Sequence, residues 1–170
     1  MRKDIGAGPF GSPYRWRPLE WKVSTDPNAA EYCNERATSS QQTGFVFVAE
    51  SRSWLPDPIG GIVWIAFGSQ DTSCYMPLYA GMTEIPKSFM VGDHWTFSRD
   101  SVRWAFDYAD FHVQVVYSEA IKDVQAAQAK YEGELIARIP EIDQQTAALY
   151  KKKPAEAAKF LTGFAINNAT

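Results

Sequence analysis

The chain has 170 residues, 45% of them apolar, a size that fits one globular domain or a large part of one. Its formal net charge is -3 and its basic residues are scattered apart from Lys151–Lys153, which argues against a nucleic-acid partner. The longest apolar run, Ile62–Phe67, is far shorter than the roughly 20 residues of a membrane-spanning helix. The composition therefore predicts a soluble protein with no membrane span, and it leaves the compartment unknown.

Residues 1–43 are predicted to be irregular, because glycine and proline recur over Gly6–Pro13 too densely for a helix or a central strand. The next segment, Tyr14–Trp21, alternates aromatic and basic residues. Within it, Arg15 and Trp16 predict either a stacking surface for a sugar or a nucleotide, or mutual stacking that holds a loop against its own domain. The residues alone leave both interpretations open.

The middle of the chain, residues 44–99, is predicted to be rich in strands. Phe45–Val48 and Ile62–Phe67 are continuous β-branched and aromatic runs, a pattern typical of strands buried on both faces. Between them lies a connection stiffened by two prolines and ended by two glycines. A third strand is predicted through Cys74–Met76, and it is expected to stop at Pro77.

Residues 100–170 are predicted to be helical, because apolar residues recur there at spacings of three and four. Strong helix formers fill 118–138 and 141–152, and Pro140 predicts a break or a kink between these two stretches. Pro154 suits the first turn of a last helix.

Strands first and helices second predict an α+β fold rather than a βαβ alternation. The whole chain, 1–170, is predicted to belong to a single domain. However, two strands buried on both faces need partner strands and a second covering layer, for which this chain offers few candidates. The pattern therefore predicts that a piece of the domain lies elsewhere.

None of the usual catalytic side chains stands in a convincing setting. Cys33 is flanked by carboxylates that would raise its thiol pKa, and Cys74 lies in a predicted strand, where a buried thiol is inert. The two histidines, His94 and His112, form no zinc-binding spacing, so no metal site is predicted.

Arg52 is the remaining candidate. It ends a buried strand immediately before the stiff connection, so its side chain would be firmly held. A fixed cation there predicts stabilisation of an oxyanion or binding of a carboxylate. The alternative is an arginine that pairs with Asp57 or Asp71 and only braces the loop.

A set of short motifs, spread over nearly the whole chain, resembles one known family. They are GPFGSPYRWRP at 8–18, QQTGF at 41–45, RSWLPDPIGG at 52–61 followed by Trp64, YMPLYAG at 75–81, EIPKS at 84–88 and SVRWAF at 101–106. Together they resemble the C-terminal region of the dipeptidase-A family of bacterial cysteine dipeptidases. The blocks at 52–61 and 75–81 are specific in combination, whereas either alone would be weak.

The resemblance implies an N-terminal-nucleophile hydrolase, whose αββα sandwich stacks two sheets between helical layers and of which this chain would form part. It implies that a cysteine at the mature N-terminus attacks the carbonyl of a dipeptide, with its own α-amino group as the base. The peptide bond breaks, the C-terminal amino acid leaves and an acyl-enzyme remains, and water then hydrolyses this thioester to release the other amino acid. The mechanism requires no metal or other cofactor.

Nothing in the chain corresponds to the family's nucleophile, so neither of its cysteines is assigned that role. The resulting hypothesis is a portion of a dipeptidase that is inactive alone and needs its missing N-terminal portion or another chain to complete the sheets. Assembly into a homo-oligomer is also expected to be possible. Arg52 matches, by position, a site arginine of related hydrolases. Trp54, Arg15 and Trp16 are predicted to bind the dipeptide substrate.

The competing hypothesis is a non-catalytic module that binds a peptide or a sugar through an aromatic and basic surface of Tyr14, Arg15, Trp16 and Trp54. Such a module predicts a well-folded monomer with a ligand-dependent melting shift. A dipeptidase portion predicts exposed sheet edges and poor solubility, or a tightly bound partner chain. The bacterial cytoplasm and secretion both remain open as locations.

Overall fold

The structure is a computed structural model that describes residues 42–169 without a gap and, before them, Gly11 and residues 19–21, 24–28, 33–35 and 38–40. Small antiparallel sheets come first in this part of the chain and helices follow them, which confirms the predicted α+β class. Within the same residues, no helix combines the length and the apolar composition needed to cross a bilayer.

A short antiparallel pair of strands lies within the stretch that is predicted to be irregular. β1 (Leu19–Trp21) pairs with β2 (Cys33–Glu35), so the prediction for residues 1–43 is wrong at these strands. Each strand has three residues, which is too short for an alternation of apolar and polar residues to be recognised in the sequence.

A three-stranded antiparallel sheet forms the middle of the molecule, in the order β3-β4-β5. Its first two strands, β3 (Phe45–Ser51) and β4 (Gly61–Phe67), confirm the strands predicted there. The connection between them contains a short helix, α1 (Asp57–Gly60), with Pro58 in its first turn, where a missing N–H costs nothing.

The third strand, β5 (Met76–Tyr79), contains Pro77, so the expected stop at this proline is wrong. The N–H of Ala80 donates to the carbonyl of Gly61 at 2.9 Å, and hydrogen-bonded pairs alternate along an antiparallel ladder. Pro77, which pairs with Trp64, therefore occupies a position whose nitrogen points away from β4. The edge strand tolerates proline there because no ladder hydrogen bond is lost.

A turn of 3-10 helix and three α-helices follow: the turn at Lys87–Phe89, α2 (Val102–Val115), α3 (Tyr117–Tyr150) and α4 (Pro154–Asn168). Pro140 lies inside α3, so the predicted break is wrong. A proline there costs about 3 kcal/mol. Leu135, Ile139 and Ile142 flank it in the main core, and each buried aliphatic side chain contributes roughly 1.5–3 kcal/mol. Packing therefore outweighs the cost of the proline.

The main core lies between one face of the three-stranded sheet and the helices α3 and α4. The register pairs Ile62 with Tyr79, and both side chains point into this core. Ile59 from α1 and Leu161 from α4 are buried beside them. The core thus holds the connection between β3 and β4 against the two long helices.

The opposite face of β3 and β4 is open. The register pairs Phe47 with Ile65 and Ala49 with Val63, which places these side chains on one face. Phe45 and Phe47 are 60% and 57% exposed. The prediction that both strands are buried on both faces is wrong for the described chain, because Phe45, Phe47 and Val63 remain exposed on this face.

Replacing Gly60 with alanine is expected to lower the free energy of unfolding. A Cβ at this position would lie 2.6 Å from the carbonyl oxygen of Arg52, which is itself fixed by a hydrogen bond from the N–H of Leu55. Relieving such a contact costs about 1–3 kcal/mol. Urea denaturation measures the change.

Gly133→Ala is the matched control, because a Cβ there meets no atom within 4 Å and the residue lies inside α3. This variant should raise the free energy of unfolding by about 0.5–1 kcal/mol through its better helix propensity. If Gly60→Ala were as stable as the parent chain, the close packing of the β3–β4 connection would be contradicted.

Candidate functional site

The connection between β3 and β4 folds around the side chain of Arg52, which is 6% exposed. Its backbone N–H donates to the carbonyl of Gly60 at 3.0 Å, one step beyond the last paired residues of the strands. The guanidinium turns back and donates to the carbonyls of Ile59, at 2.7 Å, and of Gly60, at 3.3 Å. These carbonyls end α1, where a cation is electrostatically favoured.

Asp143 of α3 balances the buried charge of Arg52. Nη1 of Arg52 donates to one carboxylate oxygen of Asp143, and the hydroxyl of Tyr79 donates to the other at 2.9 Å. Both oxygens therefore have a partner, which is the condition for burying an ion pair. Burial and the Asp143 charge raise the pKa of Tyr79, against the opposing effect of Arg52, so the phenol remains a donor.

The structure shows that Arg52 holds its own loop, which was the predicted alternative to binding an oxyanion or a carboxylate. Its acidic partner, however, is neither of the two aspartates proposed for that role. Asp57 is exposed, and Asp71 instead accepts a hydrogen bond from Tyr117 at 2.5 Å. The actual partner, Asp143, lies 91 residues further along the chain. Proximity in sequence is a poor guide to the partner of a buried arginine because helix packing brings distant residues together.

An open cleft of about 630 Å³ lies beside this ion pair, between the sheet and α3. Arg52 lines one side of it, and Trp54, Trp64 and Tyr75 supply aromatic walls. A cleft of this size, mainly apolar with a few fixed polar groups, is typical of sites for small molecules.

Two glutamates in the cleft were not predicted as site residues. Glu50 of β3 accepts a hydrogen bond from the indole N–H of Trp64 at 3.2 Å. Glu132 of α3 accepts one from the backbone N–H of Tyr75 at 2.9 Å. Each carboxylate is therefore oriented by a neutral donor.

Helical periodicity is the signal that would have grouped the cleft residues of α3. Glu132, Ile136, Ile139 and Asp143 recur at spacings of four, three and four, which places them on one face of the helix. The spacing identifies the face but not the strand that it meets, so the sequence did not show that Glu132 and Arg52 share a cleft.

The structure brings together two of the four predicted site residues. Trp54 follows Arg52 closely in the chain, lines the same cleft and is 77% exposed, so its ring is available to a ligand. Arg15 and Trp16 lie outside the described residues, and their predicted role in substrate binding stays a prediction. Tyr14, part of the alternative binding surface, also lies outside them.

Cys74 lies two residues before β5, outside the strand in which it was predicted, as a free, half-buried thiol. Burial, together with the negative charge of Glu132, raises the pKa of this thiol from 9.0 to about 11. A nucleophilic cysteine needs the opposite shift, because the thiolate is the reactive form. The environment of Cys74 thus agrees with its exclusion as a nucleophile. The side chain of Cys33 lies outside the described residues.

Comparison with known proteins gives the class of the chain. A family model of cysteine peptidases matches residues 15–130, more than half of the chain, including the whole three-stranded sheet and the connection that carries Arg52 and Trp54. The chain belongs to this family, peptidase family C69, the dipeptidase A family. The match confirms the resemblance indicated by the motifs at 52–61 and 75–81. A search of curated proteins found no match.

Replacing Asp143 with asparagine is expected to destabilise the chain strongly. The amide can still accept a hydrogen bond, but the buried guanidinium of Arg52 loses the charge that balances it. Breaking a buried ion pair on one side costs about 3–5 kcal/mol. Urea denaturation followed by circular dichroism measures the loss.

Glu119→Gln is the control for that variant. Glu119 pairs with Lys122 at 2.6 Å, but both side chains are largely exposed, so the change should stay below about 1 kcal/mol. Equal effects of the two substitutions would mean that the Arg52–Asp143 pair is not a structural constraint.

Alkylation of Cys74 by iodoacetamide is expected to be slow. With its pKa raised to about 11, its thiolate fraction at pH 8 should be about a hundredfold below that of a thiol at the usual value. Peptide mapping of a Cys33→Ser variant measures the rate at this residue alone. Alkylation as fast as that of a small free thiol would contradict the environment described for Cys74.

Proposed function

We propose that the chain forms the substrate-holding part of a dipeptidase, and that the cleft beside Arg52 and Trp54 holds the dipeptide. The observation that carries this proposal is the family match, which spans both residues. Peptidase family C69 supports the reaction, and the cleft is large enough for a molecule of two amino acids.

Arg52 has the rigidity that a contact with the reacting carbonyl or the terminal carboxylate demands. Its guanidinium is held by the Ile59 and Gly60 carbonyls and by Asp143, so no reorganisation is needed when a substrate binds. In the proposed site, the part of the guanidinium that faces the cleft donates a hydrogen bond to an oxygen of the substrate. Trp54 covers the bound dipeptide from the solvent side.

The nucleophile of the proposed enzyme is a cysteine at the mature N-terminus of the complete protein, as the family resemblance implies. Such a cysteine carries its own base, the α-amino group, within reach of the thiol. Cys74 has no such base, and Glu132 beside it opposes formation of a thiolate. On this proposal the 170-residue chain does not hydrolyse dipeptides by itself.

The open face of β3 and β4 supports an αββα sandwich in the complete protein. Phe45, Phe47 and Val63 form an apolar surface there of the kind that a second sheet covers in sandwich folds. In the proposal that sheet comes from the N-terminal portion, or from another copy in a homo-oligomer.

The alternative function is a non-catalytic module that binds a peptide or a sugar through Tyr14, Arg15, Trp16 and Trp54 and needs no nucleophile. The exposure of Trp54 favours ligand binding under either hypothesis. The two differ in the complete protein, where only a dipeptidase releases free amino acids.

Hydrolysis of alanyl-alanine, followed by release of free alanine, tests the proposal. The 170-residue chain should stay at background, and the complete protein should be active and should lose that activity when its N-terminal cysteine becomes serine. Cys74→Ser in the complete protein is the control and should keep the activity. Robust hydrolysis by the 170-residue chain that disappears in Cys33→Ser or Cys74→Ser would contradict the proposal.

A further inference from the structure

Among the described residues that line it, the cleft beside Arg52 carries more negative than positive charge. Glu50, Glu132 and Asp143 line it, and Arg52 is the one basic side chain among its described lining residues. Asp143 and Arg52 balance each other through their hydrogen-bonded ion pair. Among the described lining residues, the charges of the two glutamates are therefore not matched by an equal number of cations.

Both glutamates are held by uncharged donors, and among the described lining residues only Glu50 has a cation beside it. The indole of Trp64 donates to Glu50 and the backbone N–H of Tyr75 donates to Glu132, and both donors are uncharged. Glu50 also lies 3.5 Å from Nε of Arg52, whose charge is already shared with Asp143. Because a carboxylate has about four acceptor positions, each glutamate can accept further hydrogen bonds.

The walls of the cleft also favour a cation. Trp54, Trp64 and Tyr75 line the same space as the glutamates, and the face of an aromatic ring attracts a positive charge. Trp54 is 77% exposed, so its ring is available to cover a ligand. Carboxylates and aromatic faces together are the groups that recognise an organic ammonium ion.

We propose that this cleft binds the protonated α-amino group of the substrate, with Glu132 and Glu50 as hydrogen-bond acceptors and Trp54 as the aromatic cover. The inference rests on the proposed function and adds the feature that restricts substrates to peptides with a free N-terminus. An α-amino group has a pKa of roughly 7.7–8.0, so it is mostly charged at neutral pH. An internal or acylated peptide presents a neutral amide instead, which leaves the glutamates unpaired.

Binding tests this inference independently of hydrolysis, because it needs no nucleophile. Isothermal titration calorimetry of the 170-residue chain at pH 7 compares alanyl-alanine, N-acetyl-alanyl-alanine and alanyl-alanine amide. Acetylation should lower the affinity at least about tenfold, since it removes the ammonium charge. Alanyl-alanine amide retains the ammonium group and lacks the terminal carboxylate, so it should bind more tightly than the acetylated peptide.

Substitution of Glu132 identifies the acceptor. Glu132→Gln preserves an acceptor for the N–H of Tyr75 and removes the charge, so it should abolish most of the preference for the free amine. Glu134→Gln lies on the same helix, outside the cleft, and should leave the preference unchanged. Trp54→Ala should weaken binding without unfolding the chain, because the side chain is so exposed.

The affinity for alanyl-alanine should also fall about tenfold from pH 7 to pH 9 as the ligand loses its proton, whereas that of the acetylated peptide should not. Among the described lining residues, the titratable groups are Glu50 on β3, Arg52 on its loop, Tyr75 before β5, and Glu132 and Asp143 on α3. The thiol of Cys74 also interacts with Glu132, and its pKa of about 11 keeps it protonated from pH 7 to pH 9. Burial and the Glu132 charge raise the pKa of Tyr75, which keeps its phenol out of this pH range.

Equal affinity for the free and acetylated peptides, binding of neither, or full preference retained in Glu132→Gln would overturn the inference. Hydrolysis by the complete protein without a preference for free amines would overturn it while leaving the proposed function intact. If the complete protein preferred ligands with a free amine but did not hydrolyse dipeptides, the inference would stand and the proposed function would be overturned.

Discussion

The buried ion pair between Arg52 and Asp143 joins the connection after β3 to the long helix α3. Because its charges are removed from water, each partner depends on the other, and loss of one leaves an uncompensated charge in the core. The same guanidinium holds the carbonyls of Ile59 and Gly60, so it fixes the loop as well as the helix. The cleft exists between these two elements, and its shape therefore depends on this pair.

The negative charge of Glu132 links the two chemical properties of the site. Burial and, after it, this charge raise the pKa of the Cys74 thiol and so disfavour a thiolate. The same charge contributes to the negative charge of the described cleft lining. A negatively charged environment disfavours a thiolate and favours an ammonium group. It is therefore compatible with the proposed arrangement, in which this chain holds the substrate and a cysteine elsewhere in the complete protein is the nucleophile.

Local patterns predicted β3, β4 and the helices because runs of β-branched residues and helical spacings are visible within a few residues. The family was recognisable from the motifs around Arg52 and Tyr79. The pairing of Arg52 with Asp143 was not, since it joins residues 91 positions apart. The break predicted at Pro140 was wrong because packing of α3 outweighs the local effect of the proline. The apolar runs at β3 and β4 predicted the strands but could not show which face of each strand is covered. Glu132 was overlooked for a similar reason: its helical face was readable, but its neighbour across the cleft was not.

In the proposed site a dipeptide binds between Trp54, Trp64 and α3. Titration of the ¹⁵N-labelled chain with alanyl-alanine, followed by nuclear magnetic resonance, tests this placement. Saturable shifts are expected, largest at the indole N–H groups of Trp54 and Trp64 and at the backbone N–H of Tyr75. Shifts concentrated between α2 and α3, near Phe106 and Leu135, or no saturable shifts at all, would contradict it.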